Sequence, residues 1–525
     1  MNKNLLRLAS FSILALTSLT TSAQRFLTEV FPSVNVTSNI TYYQNYSVFP
    51  PAPQPTLIDL KLDVYEPAGA TDPLTARPLI IYLHTGSYLP AIINSNATGN
   101  RNDSASAEMC RQFARRGYVV ANVDYRLGWD PANSNLDVRR GTLLNAVYRS
   151  IQDVKAAVRF FRQNAAVGGN TYGIDANNVF LCGQGTGGYI AVNYAVLNDP
   201  SEITLPKFIS NSDAPAYGIF AGQPYVNQLA LGDFDGNGGV APYNNPNTVT
   251  GYSTAVQFAV NLGGAMGDSS WIASGDAPMV AFHCVDDPFA PYGVGIVYVP
   301  TSPPQSVVDV IGSGEIIRWA NQLGNNNCFI AAGFNDPYTL RANAINGGQE
   351  GLFPLIQSPN PINPAYGHAG PWEWFDQAAT QQLAIAYGYT STKGDTCFLN
   401  SFATNPYMSK SFALAYIDTI MNYVNPRIVF CRNLPTGVNE VETKSSAVTI
   451  YNSAAKSYFT VSSTHKEAMS KIEVIDIKGA VVKSISSPNA FEQRISKSGL
   501  SVNKGVLFVR ITFGNEVVTK KLILN

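Results

Sequence analysis

Leu181-Cys182-Gly183-Gln184-Gly185-Thr186-Gly187-Gly188 follows an apolar run, Asn178 to Cys182, and leads into a helical run from Tyr189 to Leu197. Strand, glycine-rich turn, helix is the layout that raises a nucleophile above a sheet, with a serine on a strained turn in G-x-S-x-G. Gly183, Gly187 and Gly188 stand at that spacing, but the middle position is Gly185. Glycine tolerates unusual dihedrals, so the turn should form; what is missing is the attacking oxygen. Thr186 carries a hydroxyl, yet such a turn uses that residue's backbone N–H, and its side chain is expected to point away. Acyl transfer by a triad also needs a histidine base, a carboxylate to orient it and backbone donors for the oxyanion. A second pattern, Asp233-Phe234-Asp235-Gly236-Asn237-Gly238, matches the start of a calcium loop through Asp233, Asp235 and Asn237. Its twelfth position is Asn244 where a complete loop has glutamate, so the readings are an isolated structural calcium site or a tight Gly/Asn turn.

The elements that must position these residues alternate. Leu57 to Tyr65 alternates as a strand, Pro78 to Leu83 is continuously apolar, and Ser104 to Arg116 reads as a helix before a strand at Val119 to Val123. Leu143 to Asn164 repeats apolar residues near 3.6 spacing, through Val147, Ile151, Val154, Val158 and Phe161. Further strands are expected at Ala255 to Leu262, Met279 to Phe282 and Cys328 to Ala332, with helices at Ser313 to Leu323 (Ser313 as N-cap) and Ser409 to Val424. Gln24 to Thr56 reads as an extended lead-in, and 210–252 and 335–364 as irregular stretches. This order predicts an α/β, doubly wound, mainly parallel sheet covered on both faces. Beyond it the chain is strand-like, with turns at Lys478-Gly479, Ser487-Pro488-Asn489 and Gly514-Asn515, which predicts a small all-β sandwich.

The 525 residues call for more than one domain. We divide them into a signal peptide at 1–23, a large domain at 24–435, a polar linker at 436–446 and a C-terminal domain at 447–525. Lys3 and Arg7, an apolar segment from Leu8 to Leu19, and Thr21-Ser22-Ala23 make the export signal. The net charge of −1 gives no bias towards nucleic acid, and no later run is long enough to span a bilayer. Residues 448–525 hold 11 Lys and Arg against 5 Asp and Glu, a basic module after a mildly acidic one. Six cysteines include no C-x-x-C pair, so zinc and thioredoxin-like readings lack support. Cys182 and Cys284 read as buried thiols; a Cys397–Cys431 bridge is open, with connectivity undetermined.

The segments "PLIIYLHTGS", "VDYRLG", "IQDVKAAVRFFRQNA" and "YGIDANNVFLCGQGTGG" resemble, in order, the oxyanion strand, the loop after the next strand, the helix before the elbow and the elbow of secreted carboxylesterases. The chain from Leu57 to His368 is thus similar to the α/β-hydrolase superfamily, in its carboxylesterase and feruloyl-esterase-like branch. The resemblance implies Gly185 at the nucleophile position, Asp287 as the acid with Asp286 as the alternative, and His368 in Tyr366-Gly367-His368-Ala369-Gly370 as the base. It implies oxyanion donors near Thr85, Gly86 and Thr186, structural roles for His84 and His283, and no required cofactor. Thr85 and Ser87 replace glycines of the H-G-G-G pattern, and a side chain at either would narrow the pocket. Two functions follow as expectations: hydrolysis of a small or carbohydrate-linked carboxylic ester, with a water activated by His368, or ligand binding by an inactive pseudoenzyme.

"VTIYNSAAKSYFTV", "KIEVIDIKGAVVKSI", "GLSVNKGVLFVRI" and the terminal "TKKLILN" resemble the C-terminal sorting domain of type IX secretion. That resemblance implies the secretion machinery as partner, passage across the outer membrane, and a secreted or cell-surface location.

Overall fold

The computed structural model describes residues 24–436 and 448–524, apart from 49–54, 71–73, 247–248, 300–303, 454–455, 466, 477–479, 501–504 and 515. The export signal, nearly all of the linker and the turn at Lys478-Gly479 lie outside the described residues. The chain forms two compact units, 1–437 and 438–525.

In the first unit, β1 (Ser33–Ser47), β2 (Thr56–Ala68), β3 (Arg77–Leu83), α1 (Ser104–Arg115), β4 (Val119–Val123), α2 (Leu136–Val167), β5 (Ile174–Gln184) and α3 (Thr186–Val196) come first. Then follow α4 (Gln228–Leu231), β6 (Phe258–Leu262), β7 (Met279–Cys284), a hairpin of β8 (Val294–Val299) and β9 (Gln305–Ile311), α5 (Ser313–Gln322), α6 (Asn327–Ala332), α7 (Pro337–Asn343) and β10 (Leu352–Leu355). The unit ends with α8 (Gln377–Ala386), α9 (Ser391–Thr404) and α10 (Lys410–Arg432). Eight strands make one sheet in the order β1-β2-β4-β3-β5-β6-β7-β10. From β4 to β10 every pairing is parallel, while β1 and β2 run antiparallel at one edge.

Side chains alternate across a strand, so β3 sends Leu79, Ile81 and Leu83 to one core and Ile80 and Tyr82 to the other. The first core is closed by Val154, Val158 and Phe161 of α2, Ile190 of α3 and Ile316 of α5. The second is closed by Met109 and Phe113 of α1 and by Ile417, Ile420 and Val424 of α10. Burial on both faces explains the unbroken apolar run of β3.

Several expectations change. Gln24 to Thr56 is not merely a lead-in, because β1 is a 15-residue strand; as a mostly exposed edge it carries no clear alternation. Cys328 to Ala332 is helical, as α6, and the short apolar run was ambiguous by period alone. Gly312, not Ser313, caps α5; Ser313 is fully buried and bonds His283. The 335–364 stretch contains α7 and β10. α10 continues through Pro426, where Arg427 is buried, donates to Tyr423 O at 2.8 Å and to Glu350, and so holds the last turns in place. The disulfide joins Cys328 to Cys431, α6 to α10; Cys397 is a buried free thiol beneath Ile92.

The second unit has sheets β11 (Val448–Asn452), β12 (Tyr458–Ser463), β15 (Glu492–Ser496) and β13 (Met469–Ile475), β14 (Val481–Ala490), β16 (Gly505–Phe513), β17 (Glu516–Leu524), ordered β11-β12-β15 and β14-β13-β16-β17. Leu507, Val509, Ile511 and Phe513 of β16 all face a shared core with Phe459 and Val461 of β12. Ser487 to Asn489 lies inside β14 rather than at a turn.

Candidate active site

The turn after β5 is built by close approach. A Cβ on Gly183 would lie 2.0 Å from Gly187 O, and one on Gly187 would lie 2.1 Å from Leu83 O. These glycines let α3 start directly against β3 and β5. Gly185 caps α3 with φ 52° and ψ −118°, the strained setting of an elbow. Its N–H donates to Leu262 O at 2.8 Å.

The oxyanion-side loop meets this turn. A Cβ on Gly185 would fall 2.1 Å from Thr85 Oγ1 and 3.0 Å from Thr85 Cβ. The threonine hydroxyl therefore occupies the volume into which a side chain at 185 would grow. Gly86, Ser87 and Tyr88 follow with φ of 133°, 54° and 54°, three successive positive values. Trp129 Nε1 holds the loop by donating to Ser87 O at 2.7 Å, and Gly128 N by donating to Tyr88 O at 2.8 Å. Thr186 Oγ1 is tied to Tyr125 OH at 3.0 Å, and Tyr88 OH donates to Thr186 O at 3.2 Å. The Thr186 hydroxyl is thus engaged, while its N–H opens α3 and has no acceptor within the helix.

His368 follows β10 on a loop and is buried. Its Nδ1 lies 2.7 Å from Asp286 Oδ2, and its buried Nε2 has no hydrogen-bond partner among the described residues. Asp287, the first choice for the acid, sits elsewhere: its Oδ1 accepts from Phe289 N at 2.7 Å and Ala290 N at 3.0 Å. Burial pushes its pKa up to about 7, with Asp286 adding to the rise. The carboxylate that touches His368 is the alternative, Asp286. Both aspartates follow β7, and only the direction of the turn decides between them.

Two contacts link the histidine loop to the elbow. A Cβ on Gly263, next to the Leu262 carbonyl that binds Gly185, would lie 3.6 Å from Asp287 Oδ2 and 3.8 Å from the Trp372 ring. Gln184 Nε2 donates to Glu373 Oε1 at 3.3 Å, and Glu373 packs against Gly370. Burial, then the nearby Asp103, push the Glu373 pKa up to about 8. Asp103 is itself raised to about 7 by burial, against backbone bonds from Gly99 at 2.6 Å and Asn100 at 3.0 Å. Glu373 was not singled out in the sequence; a lone acid between Trp372 and Trp374 was the available signal.

The other histidines of this unit are held by structure. His84 Nδ1 lies 2.6 Å from Thr85 O and its ring stacks on Tyr125, while His283 lies between Ser313 Oγ at 2.7 Å and Ala290 O at 3.1 Å. Burial lowers both pKa values to about 4.

The calcium expectation meets a donor set that does not fit. Asp233 Oδ1 accepts from the N–H groups of Asp235 and Asn237, both at 2.9 Å. Asp235 Oδ1 accepts from Thr254 at 2.8 Å and stands 3.2 Å from Lys155 Nζ, so an ammonium already supplies the positive charge. Asn244 closes the turn by donating to Gly236 O and Gly238 O at 3.0 Å. Among the described residues no group of three or more His, Cys, Asp or Glu could hold a metal.

Residues 62–295 match the BD-FAE family, and residues 449–525 match the family described as secretion system C-terminal sorting domain. No curated protein matches. Among solved structures, the chain is similar to Thermogutta terrifontis esterase 2 phosphorylated by paraoxon, at 18% identity over 62% of this chain and 84% of that one, with a TM-score of 0.33. It is also similar to the same esterase phosphoramylated by tabun, at 17% identity over 69% and 97%, with a TM-score of 0.34. The apo form gives 17%, 69%, 97% and 0.32. Family matches and sheet topology together identify an α/β-hydrolase superfamily fold related to esterases, followed by a C-terminal type IX secretion sorting domain.

Proposed function

We propose that the first unit hydrolyses small carboxylic esters, free or sugar-linked, with His368 as general base and Asp286 as the carboxylate that orients it. The observation that carries this reading is the 2.7 Å His368–Asp286 contact with Nε2 left buried and unpartnered. A histidine whose Nδ1 is fixed by a carboxylate presents Nε2 as a proton acceptor. Gly185 supplies no hydroxyl, so the proton comes from a hydroxyl other than a side chain at 185. The N–H groups of Thr186 and of the Thr85-Gly86 segment are the candidate oxyanion donors.

A second reading, ligand binding without turnover, is favoured by Thr85, whose hydroxyl fills the elbow where a serine would stand. Acetate release from p-nitrophenyl acetate and from an acetylated monosaccharide, by wild type and His368→Ala, separates the two. Turnover by wild type that falls about 10²–10⁴-fold in His368→Ala supports hydrolysis. A silent wild type that still binds the esters supports the second reading.

A further inference from the structure

Among the described residues the Thr85 hydroxyl makes no hydrogen bond, although the residue's backbone oxygen is bound by His84. Of the Thr85 atoms, Oγ1 is nearest to the Cβ position of Gly185, at 2.1 Å, ahead of its Cβ at 3.0 Å and Cα at 3.7 Å. The hydroxyl, not the methyl, is turned into the elbow. The loop that carries His368 is tied to the elbow strand through Glu373, which accepts from Gln184 Nε2 at 3.3 Å, and His368 Nε2 also lacks a partner among the described residues. A donor without an acceptor thus stands in the elbow, and a base without a donor stands on a loop tied to the strand that enters it. A serine at 185 and a threonine at 85 would compete for one volume, so the glycine and the threonine are complementary.

Resting on the hydrolytic reading above, we infer that Thr85 is the nucleophile, its hydroxyl taking the place of the absent serine at position 185. Threonine oxygen serves as a nucleophile where an adjacent base takes its proton. His368 Nε2 accepts the Thr85 Oγ1 proton as the oxygen attacks the ester carbonyl carbon. The tetrahedral oxyanion collapses, the C–O bond to the alcohol breaks, and His368 returns the proton to the leaving alkoxide. The acyl–Thr85 ester is then attacked by water, whose proton passes to His368 and on to Thr85 Oγ1 as the acid departs. No redox partner or metal is needed.

The full chain treated with diethyl p-nitrophenyl phosphate tests this. The expected result is one equivalent of p-nitrophenol and a diethylphosphoryl group on Thr85, mapped by fragmentation of the tryptic peptide 62–101, which the elbow does not share. Thr85→Val is expected to lose about 100-fold or more in kcat for p-nitrophenyl acetate with KM little changed, and Thr85→Ser to keep both turnover and labelling. Hydrolysis that persists in Thr85→Val but not in His368→Ala would overturn the inference and leave the hydrolytic reading intact, with water as nucleophile. A label elsewhere than Thr85 overturns it too. A wild type that neither turns over nor labels overturns both. If Thr85→Val fails to fold, the label position in wild type still decides.

Discussion

Position 185 is sterically coupled to position 85. Gly185→Ser alone places a Cβ 2.1 Å from Thr85 Oγ1, so it is expected to cost about 1–3 kcal/mol by overpacking and to give no serine-type enzyme. Thr85→Gly with Gly185→Ser removes the clash and should recover that stability in urea unfolding; a single mutant as stable as wild type would show that the loop yields freely. The two aspartates give a second test. Asp286→Asn removes the carboxylate from His368 and should lower kcat by about 10²-fold or more. Asp287→Asn keeps an oxygen for Phe289 and Ala290 and should leave kcat within a few-fold. The reverse order would return the acid role to Asp287. At this scale the sequence showed types and spacing but not directions. The elbow, His368 and the non-glycine at Thr85 were legible; which of two adjacent aspartates faces the histidine depends on the turn after β7. The burial of Glu373 depends on packing between distant segments.

The parallel core, from β3 through β7, was readable because strands buried on both faces are continuously apolar. Elements at the edge were not: β1 is exposed, β10 is four residues long, and α6 is too short to show a period. The helix expected to end at Val424 runs on through Pro426 to Arg432, where the contacts of Arg427 hold it. The bridge between α6 and α10 was invisible for the same reason, since it spans 103 residues. Replacing Cys328 and Cys431 by serine is expected to cost about 2–5 kcal/mol, read as a lower urea midpoint against the oxidised parent. An unchanged midpoint would mean that packing alone holds α10.

Across the first unit, buried ionisable groups set a pH profile. Asp103 and Asp287, with pKa near 7, and Glu373, near 8, bind protons more tightly folded than unfolded. Their contribution is complete below the unfolded carboxylate range and is lost as pH rises through 7 to 8. His84 and His283, lowered to about 4, act oppositely, losing stability as pH falls below about 6.5. The trends oppose each other in acid, so the visible effect is a decline of about 1–3 kcal/mol between pH 6.5 and 8. Asp103→Asn should make it shallower without abolishing it, since Asp287 and Glu373 still titrate there; a stability that rises over this window contradicts the assignment. The second unit belongs to export. It supports passage across the outer membrane by the type IX secretion machinery, and no helix among the described residues is long and apolar enough to cross a membrane. Removing 448–525 should retain the protein inside the outer membrane while its first unit keeps its unfolding midpoint.

The central claim is that ester chemistry at this elbow runs through His368 although position 185 has no side chain. The ratio of kcat/KM for p-nitrophenyl acetate between wild type and His368→Ala tests it most directly. The account predicts a ratio of about 10²–10⁴; a ratio near one would contradict it.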